Sequence, residues 1–308
     1  MSTREACTVS DQKQTAGSAD NISLVLQSDE EQLKISGLSK REIAKVRKNA
    51  FLHSFSPKFR TANTLPPWER LGAGCQCIDS ILNGGFPING ISEVFGYSGT
   101  GKTQLGMQLA LNVQLPCAIG GKNKGAVYIC TEDVFPSKRY HQLAKSFRTS
   151  HNCSDIDFEG QTYLYHCADF ELLKKTLSVQ LPRLLKMKEI GLVVLDSIAG
   201  PFRSDYVEAN YHNRGQHINE IAKALHHIAE SYSIAVVCMN QVTQNQKEDT
   251  IEPCLGLAWG NNVTCRFYIS RLGSDSTRVF ETIFAPDLPN RKCYFTISSQ
   301  GITADLTF

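Results

Sequence analysis

The chain has 308 residues, of which 42% are hydrophobic, and this is enough for one full α/β domain with a small appendage. Its formal net charge is only +2, from 32 basic and 30 acidic residues, so no global basic field indicates nucleic acid and any such contact must come from a local patch. The 11 cysteines lack zinc-type spacing and no apolar run reaches the roughly 18 residues that span a membrane, so we expect a soluble, intracellular protein with reduced thiols and no membrane contact.

The first third of the sequence changes character twice. Residues 1–20 are polar, with Val9 as the one large apolar side chain, so we expect a disordered tail without a secretory signal. Residues 21–57 indicate a small helical segment, in which Ser39 and Glu42 have the spacing of a capping box. The basic side chains of that helix form either a solvated face or a contact with DNA or protein. Prolines then predict a linker over residues 58–67.

From residue 68 the pattern becomes an alternation of strands and helices. Unbroken apolar runs predict buried parallel strands, with amphipathic helices between them, and the tail 266–308 predicts antiparallel strands added at one edge. The predicted strands are Ile91–Phe95, 126–130, 192–195 and 234–239, and the predicted helices are 103–114, 170–189 and 212–231. We therefore predict an α/β fold with a mostly parallel central sheet flanked by helices.

A glycine-rich turn follows the first of these strands and matches G-x-x-x-x-G-K-[ST] at every fixed position. Its glycines let several backbone N–H groups point at phosphate oxygens, and the next helix directs its positive dipole end at the same charge. We expect Lys102 to place a positive charge on the β and γ phosphates of ATP and the Thr103 hydroxyl to bind Mg²⁺. The predicted phosphate-binding residues are Gly96, Tyr97, Ser98, Gly99, Thr100, Gly101, Lys102 and Thr103.

Polar side chains follow three more strands at their carboxyl ends. Asp196 ends an apolar strand, where a carboxylate can bind Mg²⁺ through water. Glu132 follows the strand 126–130 and is our candidate for the group that orients the attacking water, with Asp133 as its competitor. Gln241 follows the strand 234–239, where its amide either reports the state of the γ phosphate or caps the strand.

The order of these pieces resembles the RecA/RadA recombinase family, including the eukaryotic strand-exchange recombinase and its paralogues. The resemblance covers residues 68–308, and the stretches 126–133, 197–203 and 284–289 are similar to one paralogue in particular. It implies a RecA-type P-loop ATPase core over residues 68–308, preceded by the short helical segment and the linker.

The resemblance also implies roles for single residues. Arg139 lies where the family stacks a guanidinium on adenine, and Gln104 joins the nucleotide-binding set. Gln241 lies where nucleotide state is coupled to a DNA-binding loop. Arg203 and Arg214 belong to the first such loop and are candidates for DNA phosphate contacts. The second loop, 243–255, carries acidic residues that disfavour strong DNA contact.

Partner contacts are implied in the same way. The tetrapeptide that begins at Phe59 and ends at Ala62 resembles the Phe-x-x-Ala element with which recombinases plug into a neighbour, although such tetrapeptides are common by chance. Asn261 stands where filament-forming members have a histidine that reaches the neighbour's γ phosphate, and an acidic residue is replaced near Phe284. These departures favour a heteromer over a long homofilament.

The resulting hypothesis is a nuclear recombination accessory ATPase of slow turnover that uses ATP and Mg²⁺. Its expected partners are another RecA-type paralogue in a heterodimer, the recombinase filament, and single-stranded or branched DNA. Two alternatives remain open at this point: a nucleotide-locked scaffold in which hydrolysis is incidental, and a RecA-like ATPase unrelated to DNA.

Overall fold

The structure of the chain is a computed structural model. It describes residues 61, 63, 66–203, 211–245, 250–273, 276–305 and 307. The predicted tail 1–20, the helical segment 21–57, Phe59 and Ala62 lie outside these residues, so the assignments made to them stay predictions. The fold described below lies in one compact unit, Trp68–Phe308.

Thirteen strands build three sheets among the described residues. The small sheets are β1 (Arg70–Leu71) with β2 (Phe86–Pro87), and the hairpin of β8 (Val242–Asn245) with β9 (Thr250–Pro253). The nine strands of the large sheet are β3 (Ile91–Phe95), β4 (Gly125–Cys130), β5 (Thr162–His166), β6 (Ile190–Asp196), β7 (Ala235–Asn240), β10 (Cys265–Arg271), β11 (Arg278–Phe284), β12 (Lys292–Ser298) and β13 (Gly301–Ala304).

The large sheet has the order β13-β12-β11-β10-β3-β7-β6-β4-β5. Every pair from β10 through β5 is parallel, and the pairs from β10 to β13 are antiparallel. The predicted fold class and the antiparallel extension by the C-terminal tail are thereby confirmed. The runs of β4, β6 and β7 are almost entirely apolar because these central strands are buried on both faces, whereas β3 carries the buried Ser92 and Glu93.

Seven α-helices cover the two faces of the sheet in the described part of the chain. They are α1 (Gln76–Ile81), α2 (Lys102–Asn112), α3 (Ser137–Ser150), α4 (Phe170–Lys175), α5 (Leu181–Met187), α6 (Tyr211–Tyr232) and α7 (Gly256–Gly260). Successive residues of β4 show the alternation between faces: Tyr128 packs in the core that α2 and α3 cover, and Ile129 packs in the core that α4 and α6 cover. Both side chains are fully buried.

Several elements differ from the sequence prediction. The helix predicted over 170–189 is interrupted by a π-helical turn, Thr176–Gln180, between α4 and α5. Pro182, in the first turn of α5, has no N–H for the preceding turn, which accounts for the break. Strand β5 and helix α3 were not predicted, and the segment expected as the second DNA-facing loop contains the β8–β9 hairpin.

Two composition-based expectations can be checked on the described residues. All the described cysteines are free thiols, and most of them are buried. Within the same part of the chain, none of the helices combines the length and the apolar character that crossing a bilayer requires.

Candidate functional site

Four neighbouring strands end at the site. Because β3, β7, β6 and β4 are parallel neighbours, their carboxyl ends meet at one edge of the sheet. The phosphate loop follows β3, Gln241 follows β7, Asp196 ends β6, and Glu132 comes shortly after β4. The ends of β4 and β6 are fastened to each other, since the Thr131 hydroxyl accepts from the Ser197 N–H at 2.9 Å and donates to the Ser197 carbonyl at 2.6 Å.

The phosphate loop needs glycine at two tightly packed positions. A Cβ on Gly96 would lie 2.2 Å from the Ile269 carbonyl oxygen, so β10 leaves no room for a side chain there. Gly101 has φ +113° and lies directly before α2, and a Cβ on it would lie 2.6 Å from Ile297 Cδ1. The loop is therefore held against β10 and β12 with its backbone turned toward the start of α2.

Lys102 is the buried cation of this loop. Its Nζ donates to the Gly96 carbonyl at 2.7 Å and to the Tyr97 carbonyl at 2.8 Å. Burial lowers the pKa of Lys102 from its ordinary value, and the negative charges of Asp196 and Glu132 oppose that shift. The ammonium group is thus positioned beside the loop and two carboxylates, where a phosphate oxygen could replace the carbonyl acceptors.

Asp196 lies in a tight cluster of hydroxyl groups. Its Oδ2 accepts from the Thr103 hydroxyl at 2.8 Å and from the Tyr128 hydroxyl at 2.7 Å. Burial, followed by the Asp196 charge, raises the pKa of Tyr128 well above its ordinary value, so this phenol stays protonated and donates. The two donors fix the orientation of the carboxylate at the end of β6.

The chemistry of this cluster fits Mg²⁺. Oxygen atoms from Thr103 and Asp196 are the hard ligands that Mg²⁺ prefers. The described residues hold no group of three or more His, Cys, Asp or Glu side chains that could bind a metal by themselves. A site with few protein ligands suits Mg²⁺ held together with nucleotide phosphates, because Mg²⁺ usually takes one or two carboxylates plus phosphate oxygens and water.

A cavity of about 750 Å³ opens over the loop and the strand ends, which is the size range of small-molecule sites. Glu132, Asp196 and Gln241 line it, and so does Asp133, the alternative candidate for the base. Of the predicted phosphate- and nucleotide-binding residues, Ser98, Gly99, Gly101, Lys102, Thr103, Gln104 and Arg139 line it. Gly96, Tyr97 and Thr100 do not line this cavity; the carbonyls of Gly96 and Tyr97 instead hold Lys102, and that of Tyr97 also accepts from the Thr100 hydroxyl at 2.9 Å.

Arg139 is held at the wall of this cavity by acceptors from three elements. Its Nε donates to Gln104 Oε1 at 2.9 Å, its Nη1 to Gln142 Oε1 at 2.5 Å, and its Nη2 to the Ser298 carbonyl at 2.5 Å. Hydrogen bonds of a guanidinium lie in its plane, so these contacts use its edges and leave its π-face available for stacking. Gln104 was predicted only from the resemblance, and in the structure its side-chain oxygen accepts from Arg139 and helps to orient the guanidinium.

Glu132 joins a network that includes a predicted DNA contact. Its Oε2 accepts from Gln241 Nε2 at 2.6 Å, and its Oε1 lies 3.2 Å from Arg203 Nη1. Arg203 Nη2 also donates to Gln241 Oε1, which closes a triangle of three side chains. The structure therefore brings Glu132, Gln241 and Arg203 together, although the resemblance had implied only a contact with DNA phosphates for Arg203.

Arg214 lies elsewhere. It lines a second cavity, of about 360 Å³, between α6 and the segment after β9, together with Thr243, Cys254 and Leu255. Both predicted DNA-facing segments thus contribute to one cavity. Lys247, Glu248 and Asp249 of the second segment lie outside the described residues.

Comparison with known proteins assigns the described fold to a family. The Rad51 family matches residues 69–305. This chain belongs to the Rad51 family. The predicted resemblance to the RecA/RadA recombinases and their paralogues is confirmed.

Individual members of the Rad51 family align over most of the chain. DNA repair protein XRCC3 of Bos taurus is 37% identical over 253 residues, covering 76% of this chain and 74% of the relative. DNA repair protein XRCC3 of Mus musculus is 35% identical over 261 residues, covering 76% and 75%. DNA repair protein rhp57 of Schizosaccharomyces pombe is 31% identical over 277 residues, covering 75% and 78%. The expected similarity to one eukaryotic paralogue in particular agrees with the two XRCC3 relatives.

Beside the candidate site lies a buried polar network that the sequence analysis missed. Glu93 on β3 is fully buried, and its Oε1 accepts from Asn240 Nδ2 at 2.7 Å and from Trp259 Nε1 at 2.9 Å. Its Oε2 accepts from Arg266 Nε at 2.5 Å. Asn240 in turn accepts from the Gln241 N–H at 2.8 Å, so the network fixes the backbone from which Gln241 extends.

The sequence analysis did not single out Glu93 or Tyr128, although each carried a signal in the sequence. Glu93 is a carboxylate within a five-residue strand that is otherwise suited to burial, and such a group must find donors in the core. Tyr128 is a phenol in an apolar strand, and its hydroxyl likewise requires a partner. The sequence could flag both positions, but the identity of their partners depends on which strands are neighbours.

Replacing Lys102 tests the assignment of the phosphate site. Lys102→Ala should weaken ATP binding about ten- to a hundredfold, since a hydrogen bond to a charged group is worth about 1.5–3 kcal/mol. Isothermal titration calorimetry with ATP and Mg²⁺ measures the affinity. Lys186→Ala, at an exposed position of α5, is the matched control and should bind ATP as the wild type does. Equal affinity of Lys102→Ala and the control would contradict the site.

Replacing Tyr128 tests the clamp on Asp196. Tyr128→Phe removes one donor to the carboxylate, and loss of such an outer contact typically weakens metal binding about 10- to 100-fold. We expect the Mg²⁺ concentration for half-maximal ATP binding to rise, with ATP binding in the absence of Mg²⁺ unchanged. Tyr163→Phe on β5 controls for the loss of a hydroxyl. An unchanged Mg²⁺ midpoint would show that Tyr128 does not act through Asp196.

Proposed function

We propose that this Rad51-family chain is an ATP- and Mg²⁺-binding recombinase paralogue that acts in the nucleus in homologous-recombination repair of DNA double-strand breaks. It works in a heteromer with another paralogue and helps to assemble or remodel a recombinase filament on single-stranded or branched DNA. The observation that carries the proposal is the meeting of the phosphate loop, Asp196, Glu132 and Gln241 at one edge of a Rad51-family sheet.

Nucleotide binding divides among residues of this edge. The N–H groups of the phosphate loop and Lys102 hold the phosphates, Arg139 stacks on the adenine, and Gln104 keeps Arg139 in place. Thr103 and Asp196 hold Mg²⁺, which neutralises negative charge on the β and γ phosphates when bound. The support for this division is the shared cavity and the hydrogen bonds that orient each group.

Hydrolysis requires a group that accepts a proton from the attacking water. Glu132 has this role in our proposal, and the family resemblance favours it over the neighbouring Asp133, which also lines the cavity. Gln241 reports the state of the γ phosphate to the segment that follows β7. Turnover is slow, because the nucleotide serves mainly to shift the protein between assembly states.

A DNA role rests on the relatives and on two arginines. Several relatives carry the name DNA repair protein, which supports the same process for this chain. Arg203 and Arg214 are the proposed phosphate contacts, since arginine recognises phosphate through paired hydrogen bonds. The acidic composition of the second segment argues against strong contact there.

A heteromer is supported by surface positions that depart from filament-forming members. Asn261 and Phe284 are both exposed, and the Phe284 ring is covered on one face by Arg266, whose guanidinium carbon lies 5.3 Å from the ring centre. A neighbouring subunit at these positions meets neither the histidine nor the acidic residue expected of a filament. Phe59 and Ala62 are the proposed elements with which this chain engages its partner.

The terminal strand β5, at the side of the sheet farthest from β13, offers a surface for an extended segment of the partner. Strand β5 is the last strand of the sheet, and its Leu164 and Tyr165 are 49% and 36% exposed. An apolar cavity of about 340 Å³ beside it is lined in part by Phe135. An edge strand next to an apolar cavity suits a peptide that adds a strand and inserts a side chain.

Replacing Glu132 separates the proposed function from the scaffold alternative. Glu132→Gln should retain ATP binding and lose ATP hydrolysis by at least about 100-fold, the usual contribution of a general base. We expect cells that carry this variant to fail in double-strand-break repair, whereas a scaffold with incidental hydrolysis would support repair. Glu189→Gln, at an exposed position, is the matched control, and Asp133→Asn decides between the two carboxylates.

Replacing Phe59 tests the partner contact. Phe59→Ala should weaken binding to the partner paralogue by about 2 kcal/mol or more, as expected for an aromatic anchor in a pocket. Co-purification with a tagged paralogue, followed by affinity measurement, gives the result. Phe55→Ala is the matched control outside the tetrapeptide. A complex that survives Phe59→Ala as well as it survives the control would refute the anchor.

A further inference from the structure

The triangle of Glu132, Gln241 and Arg203 occupies both oxygen atoms of the proposed base. Arg203 Nη1 lies 3.2 Å from Glu132 Oε1, and Gln241 Nε2 donates to Glu132 Oε2 at 2.6 Å. Both oxygens of the carboxylate are thus held by neighbouring side chains in one orientation, so the carboxylate is not free to turn toward an attacking water. The observed arrangement therefore restrains Glu132.

The position of Arg203 against Glu132 is fixed by the turn that carries it. Arg203 follows the 3₁₀ turn Gly200–Phe202, in which Phe202 is buried in the core. A Cβ on Gly200 would lie 2.3 Å from Thr131 Oγ1 and 2.8 Å from Glu132 Cγ, so the turn packs directly on the stem of Glu132. The pairing of Arg203 with Glu132 thus follows from backbone packing as well as from charge.

The Arg203 side chain is also accessible from outside the nucleotide site. Glu132 and Gln241 line the 750 Å³ cavity, whereas Arg203 does not. The side chain of Arg203 is 55% exposed and that of Glu132 is 27% exposed. A phosphate that reaches Arg203 therefore arrives from the outer surface and belongs to a nucleic-acid backbone more readily than to ATP.

Arg203 can exchange the Glu132 carboxylate for a phosphodiester group at a small cost in free energy. Ion pairs with this exposure contribute little to stability, so breaking the pair costs little. A phosphodiester oxygen pair offers the guanidinium two parallel hydrogen bonds and a full negative charge in return. The cation stays satisfied throughout, and Glu132 is released.

We propose that Arg203 is a positioning residue that holds Glu132 restrained until a phosphate of single-stranded DNA takes its guanidinium and frees the carboxylate to accept a proton from the attacking water. This inference rests on the proposed function, because it needs ATP hydrolysis at Glu132. It adds a residue, and a physical route, by which DNA on one surface governs chemistry in the adjacent cavity.

The test compares Arg203→Gln with the wild type as full-length chains in steady-state ATP hydrolysis, with and without oligothymidine. Without DNA, Arg203→Gln should hydrolyse ATP about fivefold faster than the wild type with an unchanged KM for ATP, the effect of losing one exposed ion pair. Oligothymidine should stimulate the wild type by a similar factor and leave Arg203→Gln unchanged. Inorganic phosphate at the same phosphate concentration should stimulate neither, which separates a DNA backbone from free phosphate.

Arg183→Gln, on the exposed face of α5, is the matched control and should behave as the wild type. Thermal unfolding and ATP affinity, both expected to match the wild type, show that Arg203→Gln is folded. Slower DNA-free hydrolysis by Arg203→Gln would mean that Arg203 supports Glu132, and this would overturn the proposal. Equal DNA-free rates with stimulation retained would overturn it as well.

Failure of the proposed function has a different signature in the same assay. Hydrolysis by Glu132→Gln at the wild-type rate contradicts the role of Glu132, whatever Arg203→Gln does. A wild type that does not bind oligothymidine in a mobility-shift assay contradicts the DNA role. Failure of the Arg203 inference alone leaves both of these controls as expected and changes only the response of Arg203→Gln.

Discussion

Parallel pairing of β3, β7, β6 and β4 is the constraint on which the site depends. It fixes the four carboxyl ends about one strand spacing apart, roughly 4.8 Å for each neighbour. Each end supplies one chemically distinct part: a candidate phosphate-binding loop, an amide, a candidate metal-binding carboxylate and a candidate base. A shift of one residue in any strand would turn its end group toward the opposite face, so the sheet register and the chemistry are specified together.

The buried carboxylate of Glu93 extends this constraint beyond the nucleotide. A fully buried charge is tolerated only when donors satisfy it, and here donors come from β7, α7 and β10. The strand that leads into the phosphate loop is thus bonded directly to Asn240, which orients the backbone of Gln241, and to the helix after the β8–β9 hairpin. Movement of either segment would break a hydrogen bond to Glu93 and require a new donor for it. The position of the hairpin region is therefore linked to the strand end that carries Gln241.

The residues that meet at this edge of the sheet were easier to recognise in the sequence than the contacts around them, for physical reasons. The phosphate loop is recognisable because its fixed residue types lie within eight consecutive positions. Asp196, Glu132 and Gln241 were visible as polar residues at or just after the ends of apolar runs. The bonds of Tyr128 to Asp196 and of Arg203 to Glu132 join residues far apart in the chain, and only strand order brings them together. Strand β5 escaped prediction because it is an edge strand whose residues are half-buried or exposed and lack the apolar run of a central strand.

One contact of Glu93 gives the protein a built-in spectroscopic reporter. The chain contains two tryptophans, and Trp259 is fully buried with its indole N–H bonded to Glu93, whereas Trp68 is only half-buried. In a Trp68→Phe background, all indole fluorescence would arise beside that carboxylate. The wavelength and quenching of this emission would then follow rearrangement of the hairpin region in real time, without any attached dye.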